Sequence, residues 1–296
     1  MSSTQLLTIG ETMALVTPTT PTALQTAEAF AIDAAGAESN VASHCAHLGV
    51  SAAWVSALGD DPLGRRILAD IADRGVDTSR VQFHPHAPTG VYFKDPGAGV
   101  HYYRAGSAAS LMGPALLRGA GIESAHLVHL TGITPALSAS CTHLVEAAID
   151  AAQAARVPIS FDINYRCALW PLDTAAPVLL ALGRRADTVF VGLDEAHTLW
   201  RCRTPEDVRA LFPRARLVVK NAEVGATEFS GQEHTFVPAP VVDVVEVVGA
   251  GDAFAAGYLA ALLRGAGPEA RLQAGHDQAA RVLASTSDFV PTRGTL

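Results

Sequence analysis

Short runs of β-branched residues alternate along this chain with Ala- and Leu-rich stretches, the order that predicts parallel strands joined by crossover helices. One unit is especially clear. Ala52–Leu58 reads as a strand, Asp61 as a helix N-cap, Pro62 as the first helical residue, Leu63–Arg74 as the helix and Gly75 as the residue just past its end. Further units pair strand His126–Thr131 with helix Ser138–Ala155, Ile159–Asp162 with Thr174–Arg185, and Thr188–Val191 with Asp194–Trp200. The expected fold class is α/β, a doubly wound and mostly parallel sheet. Two segments break the rhythm: Glu11–Thr17 with Phe30–Ala35, and Thr89–Lys94 paired with Val100–Arg104 across the turn Asp95–Gly99. Strands inserted without helices of their own would form a small antiparallel β lid over the carboxyl edge of the parallel sheet, where open α/β sheets bind their ligands. No repeat, low-complexity tract or long linker interrupts the pattern. Residues 1–296 therefore read as a single domain, with lid strands at about 11–17, 30–35 and 89–104.

Composition narrows the function. A chain of 296 residues that is 49% apolar can bury an enzyme-sized core. Its formal net charge is -8 and its Arg and Lys residues are scattered, so no basic face exists for nucleic acid, and an anionic substrate would need a few converging cations. The cysteines Cys45, Cys141, Cys167 and Cys202 show no CxxC spacing, which fits reduced thiols in the cytoplasm. The start lacks the layout of a signal peptide and no apolar run would span a bilayer, so a soluble cytoplasmic protein without a membrane partner is expected. His44 with His47, and His84 with His86, lack an evident third ligand and are given no metal role.

The sharpest local signal is Val247-Val248-Gly249-Ala250-Gly251-Asp252-Ala253-Phe254, read as a strand, a tight glycine turn and a helix running to Leu263. Free amides at a helix start, together with the helix dipole, attract anions, and glycine lets a phosphate approach the backbone. A dinucleotide fingerprint would sit in the first βα unit and want a third glycine where Phe254 stands, and no Walker GxxxxGK[ST] sequence is present. Asp252 would repel a phosphate unless it accepts a proton from an attacking hydroxyl, although taken alone the residue reads first as a helix N-cap.

GAGDAFAAGYLAALL at Gly249–Leu263, with Gly10-Glu11-Thr12-Met13 and Gly36-Ala37-Glu38-Ser39-Asn40-Val41-Ala42, resembles the motifs of the PfkB, or ribokinase-like, carbohydrate kinases. The resemblance implies a doubly wound α/β fold with a β lid and transfer of a phosphoryl group from ATP, with Mg2+, to a sugar hydroxyl. It makes Asp252 the general base, and gives the anion hole to Gly249, Ala250 and Gly251. Within the family, Tyr102-Tyr103-Arg104-Ala105-Gly106-Ser107-Ala108 and Phe161-Asp162-Ile163-Asn164-Tyr165-Arg166 resemble the 2-keto-3-deoxygluconate kinases, with fructokinase, another ribokinase-like sugar kinase, or a weakly catalytic binding protein on the same fold as alternatives. On that likeness Gly36, Asn40, Tyr92, Tyr102, Arg104 and Arg166 line a pocket for a small sugar acid. Arg offers a donor fork for a carboxylate, and Tyr a hydroxyl-tipped face for a polyol.

The same resemblance sets Lys220 and Gly225, with Gly249 and Gly251, near the nucleotide, and makes Glu195 a residue associated with metal. Asp162 and Asn164 could face magnesium-bound water or cap the turn after their strand. The family's NxxE segment reads Gly192-Leu193-Asp194-Glu195, the aspartate before GAGD is Glu246, threonines are replaced by Val247 and Val248, and a glycine is replaced by Ala222. These departures bear on metal handling, nucleotide preference and a possible monovalent-cation site. Lids of this kind often pair between subunits, so the likeness also implies a homo-oligomer.

Overall fold

The computed structural model describes residues 4–285 and 287–290, and it arranges them around two sheets. Strand β1 (Leu6–Ile9) opens the larger sheet, after which β2 (Met13–Pro18) and β3 (Phe30–Ala35) form part of the smaller one. Helix α1 (Ala37–His47) returns the chain to β4 (Ala52–Gly59), α2 (Pro62–Asp73) and β5 (Asp77–His84). The smaller sheet gains β6 (Val91–Asp95) and β7 (Gly99–Tyr103). There follow β8 (Leu127–Thr131), α3 (Ile133–Ala136), α4 (Ala139–Ala155), β9 (Ile159–Asp162), α5 (Leu172–Gly183), β10 (Thr188–Gly192), α6 (Leu193–Trp200), α7 (Pro205–Leu211) and β11 (Arg216–Asn221). The chain ends through β12 (Gly225–Ser230), β13 (Glu233–Pro238), α8 (Ala250–Leu263) and α9 (Pro268–Leu283).

The nine-stranded sheet runs β13-β12-β11-β10-β9-β8-β1-β4-β5, parallel from β11 to β5 and antiparallel across β12 and β13. From β1 the chain winds outward through β4 and β5, then restarts on the other side at β8. The order therefore reverses between β1 and β8, which opens a crevice at their carboxyl ends. Strand alternation divides the core. Leu7, Val128 and Val189 face one apolar layer with Leu144, Leu179 and Val208 of α4, α5 and α7. Leu6, Leu127 and Phe190 face the other, with Cys45, Ile67, Leu259 and Leu272 of α1, α2, α8 and α9. A sheet covered on both faces explains the near-continuous apolar runs in its strands.

Local chemistry sets the boundaries. Asp61 caps α2 by accepting from the Gly64 amide at 2.8 Å, Pro62 occupies its first turn, and Gly75 follows it at φ +88°. The smaller sheet runs β3-β2-β6-β7, with β2–β3 and β6–β7 antiparallel as the sequence pattern predicts and β2–β6 parallel. The pattern fails before the last motif, because Val247 and Val248 form no strand. That stretch lies outside both sheets, with Val241, Val244, Val245 and Val247 exposed, and the Val245 amide bonds to the Leu283 carbonyl at the end of α9. β-propensity had no neighbouring strand to act on here. Among the described residues no helix is long and apolar enough to cross a membrane.

Candidate active site

Helix α8 starts under the crevice. Gly249 is its N-cap in the left-handed region at φ +84°, and the Asp288 backbone packs so close that a Cβ on Gly249 would lie 3.1 Å from the Asp288 Cα. Conformation and space both demand glycine there. The Ala250 amide bonds back to the Val247 carbonyl at 3.3 Å, which takes it out of the expected anion hole and leaves the Gly251 and Asp252 amides next in the first turn. The Lys220 ammonium stands over this turn, 3.6 Å from where a Gly251 Cβ would be. Asp252 is partly open to solvent as a residue, yet its carboxyl lies deep among neighbouring atoms. Desolvation pushes its pKa up to about 7, the Asn40 amide works against the shift, and Asp162 and Asp288 reinforce it.

The start of α1 meets Asp252 from the other side. Asn40 Nδ2 donates to Asp252 Oδ2 at 3.0 Å, while Asn40 Oδ1 is buried without a protein partner. Gly36 caps α1 where a Cβ would collide with the Glu11 carbonyl, so its smallness lets the segment after β1 lie against the helix. Thr12 and Ser39 tie that contact with a 2.6 Å hydroxyl bond. Glu38 is fully buried, accepts from Thr131 at 2.8 Å and Thr134 at 2.7 Å through one oxygen, and has its pKa pushed up to about 7 by burial.

At the ends of β9, β10 and β11 the charges are already matched. Lys220 Nζ donates to Asp162 Oδ2 at 2.9 Å. Burial alone would lower the lysine pKa, but Asp162 and Glu195 outweigh it and hold the pKa above its ordinary value. Lys220 is thus a paired cation. Glu195 accepts the Gly192 amide with one oxygen and the Tyr165 amide with the other, both at 2.8 Å, so it clamps the β10–α6 turn to the loop after β9. Asp162 also accepts the Asn164 amide at 3.3 Å, the turn cap considered from sequence, and Asn164 holds φ +40°. Ala222 occupies φ +39° in the β11–β12 turn, which explains why a glycine would suit that position. Gly225 pairs with Asn221 and leaves no room for a Cβ beside the Val237 carbonyl and Phe236 ring, so the hairpin by itself requires glycine there. Arg166 is half exposed, with Nη1 3.8 Å from Glu195 Oε1. Among the described residues, no three His, Cys, Asp or Glu side chains are grouped so as to hold a metal ion.

The smaller sheet closes the other wall. Tyr92 and Tyr102 stack with ring centroids 5.5 Å apart, and the Tyr92 hydroxyl donates to Asp288 Oδ2 at 3.1 Å. Arg104 does not stand free for a substrate carboxylate: its guanidinium is hydrogen-bonded to the buried Glu11 carboxylate and lies over the Tyr102 ring. Glu11 Oε1 and Arg104 Nε are buried with no other protein partner. Lys94 Nζ donates to Asp288 Oδ1 at 2.7 Å. Sequence reasoning missed Asp288, Lys94 and the pairing role of Glu11. Lys94 follows Tyr92 by two strand positions and so shares its face, a signal the pattern did contain. Asp288 lies in no motif.

The family described as pfkB family carbohydrate kinase matches residues 3–292. The chain belongs to the pfkB family of carbohydrate kinases. It is 35% identical to a 2-dehydro-3-deoxygluconokinase of Bacillus subtilis, across 98% of this chain and 93% of that protein. It is 33% identical to a 2-dehydro-3-deoxygalactonokinase of Haloferax volcanii, across 93% and 90% of the two chains. The crystal structure of a PfkB protein from Polaromonas sp. JS666 superposes with a TM-score of 0.89 at 36% identity, over 96% of this chain and 97% of that one. The doubly wound sheet with its separate β layer is thus the pfkB architecture, and the crevice at the β1–β8 reversal is where this kinase presents Asp252, Asn40 and the start of α8.

Proposed function

We propose that this pfkB kinase uses ATP to phosphorylate a terminal hydroxyl of a small sugar acid of the 2-keto-3-deoxy type, giving the 6-phosphate. The carrying observation is Asp252: a carboxyl near neutrality at a helix start, hydrogen-bonded by an amide rather than an ammonium. A base titrating near the working pH is suited to take a proton from an alcohol. In the proposed step the hydroxyl proton passes to an Asp252 oxygen and the alcohol oxygen bonds to the γ-phosphorus. The bond from phosphorus to the bridging oxygen breaks, releasing ADP. The Gly251 and Asp252 amides and the Lys220 ammonium face the charge that gathers on the transferred group. Asn40 holds the base and offers its unpartnered oxygen to the sugar. Tyr92, Tyr102 and Arg166 would line the sugar, and the smaller sheet would act as a lid that excludes water. Magnesium carried by the nucleotide would be held mainly by phosphate oxygens and water, with Asp162 and Glu195 as the carboxylates able to receive its water shell, and would neutralise phosphate charge. The similarity to kinases named for gluconate- and galactonate-derived acids supports the substrate class.

ATP turnover with 2-keto-3-deoxygluconate, its galactonate epimer, fructose and ribose tests this reading. The acids are expected to give the highest kcat/KM. A preference for fructose would make the chain a fructokinase, and no turnover above background with any sugar would leave a binding protein.

A further inference from the structure

Three segments meet beside Gly249, and one ammonium touches two of them. Lys94 projects from β6 with a side chain 7% exposed, and its Nζ donates to Asp288 Oδ1 at 2.7 Å and lies 3.9 Å from Glu246 Oε2. Glu246 spends its other oxygen on the amides of Val247 at 2.8 Å and Val248 at 3.2 Å, the two residues leading into Gly249. Asp288 packs its backbone on Gly249 itself, and its carbonyl accepts from His44 Nε2 at 3.1 Å, a contact that fixes it to α1. Phe289 follows, held between His44, His47 and the Arg74 guanidinium. The left-handed turn that aims the first amides of α8 is therefore braced from both sides by carboxylates that share one cation from the smaller sheet.

We propose that Lys94 is a positioning residue that couples the smaller sheet to the anion-binding turn, so that seating this sheet and setting the Gly249–Asp252 geometry are one event. Two carboxylates brought together without Lys94 would repel, and each could relax only by moving its own segment: Glu246 by releasing the amides before Gly249, Asp288 by lifting off Gly249. Lys94 directs its ammonium to carboxylates of the protein, so it acts here through placement. Misplacing a reacting group by about an ångström typically lowers rate on the order of 100-fold.

The rate arm of the test rests on the kinase reading; the exchange arm does not. Lys94→Met and Lys94→Arg would be compared with the wild type by amide hydrogen exchange over residues 246–252 without ligands, and by kcat and KM for ATP and 2-keto-3-deoxygluconate. Lys94→Met is expected to speed exchange at Val247–Gly251 and to lower kcat on the order of 100-fold with a smaller change in sugar KM, and Lys94→Arg to restore both. Wild-type exchange in folded Lys94→Met overturns the proposal, as does a variant changed only in KM for the acid, which would make Lys94 a sugar ligand. If Lys94→Met does not fold, Lys94→Gln, which keeps a donor of similar length and removes only the charge that the two carboxylates share, must show the same faster exchange or the proposal falls. A wild type that phosphorylates no sugar would defeat the kinase reading, and the exchange comparison would still decide the coupling.

Discussion

Two carboxylates lean on helix α8 and have opposite company. Glu228 is buried on β12 and is fully answered: the Tyr258 hydroxyl donates to it at 2.7 Å, Arg271 Nε at 3.1 Å, and a second Arg271 nitrogen takes its other oxygen. Asp252, at the first turn of the same helix, is hydrogen-bonded by one neutral amide, with carboxylates nearby and Arg166 and Lys220 acting on it without a hydrogen bond, and burial pushes its pKa up to about 7. The first arrangement joins β12, α8 and α9. The second holds a proton acceptor near neutrality in a crevice, a state that ties no elements together by a charge pair. The matched charge at Glu228 does structural work, and the carboxyl without a matched partner at Asp252 is placed to take a proton.

The largest expected effect separates those two roles. Asp252→Asn keeps shape and loses basicity, so kcat should fall about 10² to 10⁴-fold while ATP and sugar affinities and the melting temperature change little. Glu228→Gln should do the reverse, destabilising the fold by about 3 to 5 kcal/mol through the stranded Arg271 charge, with near-normal kcat in the folded fraction. Steady-state kinetics beside urea melts would read both. In the wild type, kcat/KM should climb through about pH 7 as Asp252 ionises. Wild-type turnover in Asp252→Asn would reduce the residue to a buried partner of Asn40.

This contrast also explains what the sequence could and could not say. The βα rhythm, the two extra hairpins and the Gly249–Asp252 motif were legible because each depends on local spacing, as with Asp61, Pro62 and Gly75 around α2. Pairings are long-range. Nothing near Arg104 announces that Glu11, 93 positions earlier, neutralises it, and nothing near Asp288 announces Lys94, 194 positions earlier. The valines before Gly249 looked like a strand for the same reason, since a strand needs a neighbour that propensity cannot supply.

Arginines extend the comparison. The sequence assigns both Arg104 and Arg166 to a sugar acid, but Arg104 is matched by Glu11 whereas Arg166 is half exposed and 3.8 Å from Glu195. Discrimination between acid and neutral sugars should therefore fall on Arg166. Arg166→Ala is expected to lower kcat/KM for 2-keto-3-deoxygluconate roughly 30-fold while fructose changes far less, the lower end of what losing an Arg–carboxylate contact costs. Arg104→Met should lower both substrates by similar factors, because it disturbs a neutral pair in the pocket wall. Equal losses for both sugars in Arg166→Ala would return that residue to a supporting role, and an acid-selective loss in Arg104→Met would show that pairing does not silence a charge here.

Glu38 supplies the smallest and most delicate test, because it is a buried carboxyl answered only by hydroxyls, with its second oxygen unpartnered. Its pKa of about 7, like that of Asp252, lies above the unfolded value, so each favours folding at low pH and loses that contribution as pH rises toward 7. His44 and His129 are buried with pKa values lowered to about 4, so each favours folding at neutral pH and loses that contribution as pH falls from about 6.5 toward 4. Between about pH 4.5 and 6.5 the folded chain holds two protons on carboxyls and the unfolded chain two on imidazoles, so these four groups nearly offset one another. Glu38→Gln mimics the protonated carboxyl, keeps an acceptor for Thr131 and Thr134, and removes one proton from the folded side. The variant should then lose about 1.4 kcal/mol of stability per pH unit on acidification across that window, relative to the wild type. Urea midpoints measured at half-unit steps for both proteins would reveal the divergence. Parallel curves would mean that Glu38 is ionised in the fold, and that two hydroxyls suffice to hold a buried charge beside this site.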